Sequence, residues 1–310
     1  SIGIDQWTPI PGLYGYVDLR GGLTHGWLND NNGKVSHVKL HHKYIGLRAG
    51  GKLPINISYE FHHAAMWGGY RIDGLDLGND FDAFSNIFLG RGGGATVSDQ
   101  LNKQGNHMLS QLLCLTAKGE DWKVDLYWQD FQEDGGINFI GCRANSKDGR
   151  WGISALQNHW PFISGITFEI IQTTDQSGPW HDRDGMVFGG NDSYYSNSSY
   201  PQGWTYFGQS ICSPLLLPTN SRVWAYHAGI KGDIYGFKYR ALCTYTRNYG
   251  TYKAPKESQN TALLLEVKKI VPQAWGLEFG LSIAGDFGTQ HGNNFGAMLT
   301  ISKQGIIKQW

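Results

Sequence analysis

The sequence predicts an all-β fold, an antiparallel transmembrane β-barrel, on three observations. The first is a period of two. In the closing stretch from Gln273 to Trp310, Trp275, Leu277, Phe279, Leu281 and Ile283 alternate with Gly276, Glu278, Gly280 and Ser282. After a turn rich in Gly, Asn and Asp, Phe295, Ala297, Leu299 and Ile301 alternate with Gly296, Met298, Thr300 and Ser302. Such alternation puts each set on one face of a strand. The second is composition: 43 glycines, 12 Trp and 16 Tyr, with aromatics at 14%, are high for a soluble domain and suit interfacial girdles or sugar-stacking surfaces. The third is the chemistry of the two faces. Lys123, Asp125, Lys238, Arg240, Glu266, Lys268 and Glu278 fall on one set, and their neighbours are nearly uniformly apolar or aromatic. A wide barrel with a charged lumen and a lipid-facing exterior has that pattern. A soluble β chain also alternates, but would carry more charge than the 17% found here.

Taken in order, Val17, Leu19 and Leu23 alternate with Tyr16, Asp18, Arg20 and Thr24, and the turn Asn29–Gly33 follows. It lacks the bidentate glutamate of a calcium loop. HVKLHHKYIGLRAG comes next with no readable phase. Its adjacent His41 and His42, like His62 and His63, point to opposite faces of a strand, so neither pair chelates one metal ion. Ile55, Ile57, Tyr59 and Phe61 oppose Asn56, Ser58, Glu60 and His62. Leu109, Leu113 and Leu115 mark a strand before a turn at Lys118–Glu120. Trp122, Val124, Leu126 and Trp128 then oppose Lys123, Asp125, Tyr127 and Gln129. Weaker strands are expected at Gly141–Ala144 and Trp151–Gln157. Clear ones follow at Ile166–Ile171, Val223–Ala228, Tyr235–Thr246 and Asn260–Lys268, with another placed at Trp204–Ile211. With the closing pair this makes about 13 strands. One short helix interrupts them: Asp80 is an N-cap candidate, and DFDAFSNIF carries apolar residues at helical spacing inside a long connection near Gly68–Gly105.

Several classes are excluded or left without support. No apolar run approaches the roughly 18 residues of a membrane helix. The mean hydropathy of −0.37 looks soluble, but half of every barrel strand faces the lumen. Lys+Arg and Asp+Glu are both 26, which gives no case for nucleic acid. Cys114, Cys142, Cys212 and Cys243 lack metal spacing and read as single buried thiols rather than a disulfide framework. No Ser-His-Asp elbow, phosphate loop or nucleotide fingerprint is present, so neither a cofactor nor catalysis is expected. Glu266 and Glu278 lie among lysines, which favours a salt network over a glycosidase pair. No Pro/Ser linker or composition shift divides the chain, and residues 1–310 read as a single domain. Ser1 opens directly into GIDQWTPIPG with no leader pattern, so the chain reads as processed or as a piece of a longer one.

The segment Gln176–Pro218, above all GNDSYYSN and GWTYFG, resembles the Wzi-like capsule assembly family. So do FHHAAMWGG (Phe61–Gly69), DFDAFSNIFLG, Gly105-Asn106-His107 and the closing NNFGAMLTI. The resemblance implies an integral outer-membrane barrel of a Gram-negative cell, linked to surface capsule, with lectin-like binding of polysaccharide. It implies a barrel of about 18 strands, of which this chain would hold the C-terminal two-thirds, with the first strands and a periplasmic helical portion missing. Expected partners are capsular or surface polysaccharide, outer-membrane lipid and other outer-membrane proteins.

The long connection between Gln176 and Trp204 is the candidate binding site. Trp180 offers a face for stacking on sugar, and His181, Asp182, Arg183 and Asp184 offer hydrogen bonds to hydroxyls or a uronic carboxylate. Tyr194, Tyr195 and Tyr200, with Trp204 and Tyr206 at the strand entry, form either an aromatic slide for sugar or the packing of a loop. A connection of that length belongs on the extracellular side of a bacterial barrel or inside its mouth. The alternatives are a porin-like or polysaccharide export channel on the same fold, and a soluble β-rich carbohydrate-active enzyme.

Overall fold

The computed structural model describes residues 1–310 except 29–32, 133–147, 177–180, 184–185, 190–192, 212, 304 and 306–310. The first half contains β1 (Ile2–Pro9), β2 (Val17–Trp27), β3 (Val35–Ser36), β4 (Lys39–Ala49), β5 (Ile55–Trp67), β6 (Tyr70–Arg71), α1 (Phe81–Leu89), α2 (Val97–Leu101), β7 (Asn106–Lys118) and β8 (Trp122–Gln132). The second contains β9 (Gly149–Gln157), β10 (Gly165–Gln172), β11 (His181–Arg183), β12 (Met186–Gly189), β13 (Thr205–Tyr206), β14 (Gln209–Ser210), β15 (Val223–Ile234), β16 (Phe237–Gly250), β17 (Pro255–Val271), β18 (Leu277–Gly288) and β19 (Asn294–Ser302).

Thirteen of these strands form one sheet in the order β1-β2-β4-β5-β7-β8-β9-β10-β15-β16-β17-β18-β19, each antiparallel to the next. It is an up-and-down meander. Among the described residues its two edge strands, β1 and β19, do not pair with each other. Each remaining short strand pairs only within the long connections.

The alternation read from the sequence becomes two faces. Register couples Ala228 to Cys243, Cys243 to Leu263, Leu265 to Ile283, and Ile283 to Ala297, so these apolar side chains share the outer face. Arg240 faces Glu266, and Lys268 faces Gly280 beside Glu278, all on the inner face. The inner charges pair across strands, Arg20 with Glu60, Arg48 with Asp18 at 2.9 Å, Arg150 with Glu169 at 3.4 Å, and Arg240 with Glu266, and along one strand, Lys123 with Asp125 at 2.7 Å. The expected salt network around Glu266 and Glu278 is present, with Lys268 3.9 Å from Glu278.

The two ends differ. Short turns at 10–16, 50–54, 119–121, 158–164, 235–236 and 272–276 close one end. Tyr235 and Gly236 both take positive φ, as a two-residue hairpin with right-handed strand twist requires. Exposed Tyr14, Trp122, Trp160, Tyr235 and Trp275 gather at this end. The long connections at 28–38, 68–105 and 173–222 lie at the other end, with short turns at 251–254 and 289–293.

Helix α1 follows the sequence reading. The Asp80 carboxylate accepts a hydrogen bond from the Ala83 N–H at 2.8 Å, and Gly90 ends the helix in the left-handed region. It lies on the outer face against Trp67 and Ala65. There Phe84 and Phe88 pack on His41, and Lys43 bonds the Phe88 carbonyl.

Four local readings are corrected. The sequence indicated one helix, and α2, capped by Thr96, is a second; its five residues are too few to show a period. The strand placed at Trp204–Ile211 is only the hairpin β13–β14, outside the main sheet, because Trp204 turns into a core. Ile2–Pro9, not read as a strand, pairs with β2 across a register shift. Trp275 sits in a turn at φ 56° rather than on a strand face. The stretch at 141–144 and most of the Asn29–Gly33 turn lie outside the described residues.

Candidate functional site

The connection from β10 to β15 starts on a buried carboxylate. Asp148 accepts the backbone N–H groups of Asp175 and Gln176 and, at 2.8 Å, the Tyr194 hydroxyl. Burial pushes its carboxyl up to about 6 against those three donors, which favour the ionised form. Gln176 then spans the base of the connection, its amide donating to the carbonyls of Thr173 at 3.2 Å and Ser221 at 2.8 Å. The two ends of a long segment are thus held together before any of it packs.

Beyond this base the chain folds onto the inner face. Tyr195, Tyr200 and Trp204 share a core with Val35, Val38, Met66 and Leu77, and Leu40, Ala64 and Met108 pack against it. Three connections that are remote in sequence therefore bury one apolar cluster on the half of the sheet next to the long loops. Polar ties fix their mutual position. The Tyr200 hydroxyl donates to the Gly68 carbonyl at 2.9 Å. Asn197 donates to the Gly105 carbonyl at 2.8 Å, and Gln202 to the Val35 carbonyl at 3.2 Å. The Ser199 hydroxyl donates to Asp99 of α2 at 3.1 Å, and burial raises the pKa of that carboxyl. Gly203 has φ +67°, and a Cβ there would meet the Tyr195 ring at 2.3 Å, so only glycine admits the ring.

The sequence-predicted residues divide accordingly. Tyr194, Tyr195 and Trp204 are buried, at 2%, 0% and 4% exposure, and act in the packing of the connection. Tyr206 is 40% exposed on the β13–β14 hairpin, with the Phe207 ring edge-on at 4.5 Å. His181, Asp182 and Arg183 form β11, which pairs with β12 as a small hairpin. Trp180 and Asp184 lie outside the described residues. Asp148, Gln176 and the Asp99–Ser199 contact escaped sequence reading. Asp148 stands in an Asp-Gly pair that reads as an ordinary turn, and nothing local shows that the turn will be covered.

Cys114 and Cys243 are free thiols, the former half-buried on the inner face and the latter exposed on the outer face. The paired histidines split between faces as their adjacency requires. His41 and His63 lie under α1, while His42 and His62 lie parallel on the inner face with ring nitrogens 3.3 Å apart. No cluster of three metal-ligating side chains occurs among the described residues.

No protein-family model and no curated protein matches the sequence. Among solved structures, the chain is similar to that of Wzi, an outer-membrane protein involved in group 1 capsule assembly in Escherichia coli and a carbohydrate-binding β-barrel. The TM-score is 0.59 at 10% identity, over 96% of this chain and 58% of that one. The chain therefore spans somewhat over half the length of that protein, and its thirteen-stranded antiparallel sheet has the fold of the Wzi β-barrel.

Proposed function

We propose that residues 1–310 form a single outer-membrane domain. In this reading it binds capsular or other surface polysaccharide non-covalently, helps to hold that polysaccharide at the cell surface, and catalyses nothing. The observation that carries the reading is the packed plug. Tyr195, Tyr200 and Trp204 cover the inner face next to the long loops with a shared apolar core, as suits a binding surface and not an open solute path. The Wzi-like fold supports an outer-membrane location, and so do the exposed apolar outer face and the aromatic residues gathered at the short-turn end. Long loops face outward in bacterial barrels, so the connections at 68–105 and 173–222 are assigned to the extracellular side.

Polysaccharide contacts are assigned to the β11–β12 region and the exposed tip that follows it. Trp180 and Tyr206 offer ring faces to a pyranose, and Asp182, Arg183 and Asp184 bond hydroxyls. His181 offers a further hydrogen-bonding group. The planar fork of Arg183 suits a uronic carboxylate. Tyr194, Tyr195 and Trp204 shape the platform from below. A neutral hydrogen bond contributes about 1 kcal/mol net in water, so each contact is weak and retention depends on many copies engaging one polymer. The test is binding of the producing bacterium's own surface polysaccharide to purified protein in detergent, measured by calorimetry. The double substitution Trp180→Ala with Arg183→Ala should weaken binding at least about tenfold, the loss of roughly 1.4 kcal/mol, while the protein stays folded. Equal binding by both proteins would remove this segment from the site.

A further inference from the structure

We infer that the inner wall below the plug holds a second saccharide site, built on Trp7 and Tyr127 and separate from the extracellular loops; the inference rests on the polysaccharide-binding reading above. The plug occupies only the half of the inner face beside the long loops. Towards the short turns the wall opens into a polar cavity of about 440 Å³, within the usual range of small-molecule sites. It has room for a mono- or disaccharide unit of a longer chain.

The cavity has the two components that sugar recognition needs. One is a set of immobilised aromatic rings. Tyr127 sits directly across from Gly152, and its ring occupies the space of the missing side chain: a Cβ on Gly152 would lie 2.3 Å from the ring. The Trp7 indole reaches across β2 to Gly46 of β4, 3.0 Å from where a Cβ would be and beside the Glu60 side chain. Rings held against a strand by an opposing glycine lose little freedom when a ligand arrives. The other is a set of polar groups fixed by one another. Glu169 accepts the Tyr127 hydroxyl at 2.6 Å and pairs with Arg150. Glu60 pairs with Arg20, whose guanidinium lies 4.6 Å from the Trp7 ring centre, and Arg48 lies 5.2 Å from the same ring. Each carboxylate in these pairs keeps acceptor capacity, and each guanidinium keeps donors, for the adjacent hydroxyls of a pyranose. Most of these charges are paired, while among the described residues Lys118 on the same wall bonds only the Gly51 carbonyl, so the wall suits a hydroxyl-rich ligand and admits one that carries an occasional carboxylate.

Cys114 lines this cavity and serves as its reporter. In a background carrying Cys142→Ser, Cys212→Ser and Cys243→Ser, a small water-soluble methanethiosulfonate reagent modifies Cys114 alone. The probe ligand is oligosaccharide made by partial acid hydrolysis of the bacterium's own surface polysaccharide. At four times the dissociation constant it should slow modification about fivefold. The protection should persist in the Trp180→Ala, Arg183→Ala protein. It should vanish with Trp7→Ala or Tyr127→Ala and return with Trp7→Phe, which keeps a ring in place. If calorimetry shows that the parent binds the oligosaccharide but Cys114 reacts at the same rate, the lumen site is wrong and the polysaccharide-binding reading stands. Protection that survives both Trp7→Ala and Tyr127→Ala also overturns it. A parent that binds no oligosaccharide by either measure overturns both readings.

Discussion

Replacing Leu265 with arginine tests the assignment of the two faces. Leu265 lies on the outer face of β17, between Ala241 on one neighbour and Ile283 on the other, and is 45% exposed. It stands six residues before Val271 at the short-turn end of its strand. At about 3.4 Å per residue and a tilt near 45°, that places it roughly 14 Å into an apolar band about 25 Å tall, close to its middle. An arginine there costs about 2–4 kcal/mol, a shift of about 30- to 1,000-fold in the folding equilibrium. The comparison is Lys268→Gln on the inner face. Lys268 is half-exposed, and its 3.9 Å contact with Glu278 is worth less than about 1 kcal/mol. Urea-driven unfolding and refolding in phospholipid vesicles reads both, with heat-modifiable gel mobility as the folded-state marker. The arginine variant should lose most of its folded fraction in urea that leaves the parent intact, and the glutamine variant should track the parent. An arginine variant as stable as the parent, with the glutamine variant impaired, would refute the face assignment.

Two further substitutions probe the plug. The buried Asp148 carboxyl has its pKa pushed up to about 6 from an ordinary 3.8. The folded chain therefore keeps a proton that the unfolded chain releases between those values. Stability is fully present below the unfolded value and is lost as pH rises through 6, by about 3 kcal/mol at most. Protease resistance of the 173–222 connection should be higher at pH 5 than at pH 7.5, and Asp148→Asn should flatten the difference; a parent with no pH dependence across that range would contradict the assignment. Tyr200→Phe removes the hydroxyl that satisfies the Gly68 carbonyl and should lower stability by about 1–3 kcal/mol. It should also speed cleavage in both the 68–105 and 173–222 connections, and faster cleavage in only one would show that they are not held as a unit.

Much of the fold was legible because barrel-like strands state their two faces residue by residue. The middle of β17 reads clearly, since Leu263, Leu265 and Val267 are apolar on one face while Glu266 and Lys268 are polar on the other. β4 did not, and its structure explains why. Its outer set runs Lys39, His41, Lys43, Ile45, Leu47, polar where α1 covers it and apolar below. Its inner set runs Leu40, His42, Tyr44, Arg48, apolar only where the plug packs. Each face changes character halfway, so no single period describes the strand. The same limit applied to the candidate site. Tyr194, Tyr195, Tyr200 and Trp204 were visible as an aromatic group, but whether aromatics bind sugar or pack a loop depends on contacts with Val35, Met66 and Asp148, which are remote in sequence. Trp7 and Tyr127 were equally unreadable as partners, because the glycines that seat them lie on other strands, Gly152 on the next strand and Gly46 two strands away.

The central claim is that this barrel holds polysaccharide at the cell surface. Its most direct test is the partition of polysaccharide between cells and medium in a strain lacking the protein, with total production measured alongside. The account predicts an unchanged total that moves from the cell surface into the medium and returns to the cells when the intact gene is restored. Polysaccharide that stays on cells lacking the protein, at the parental level, would contradict it.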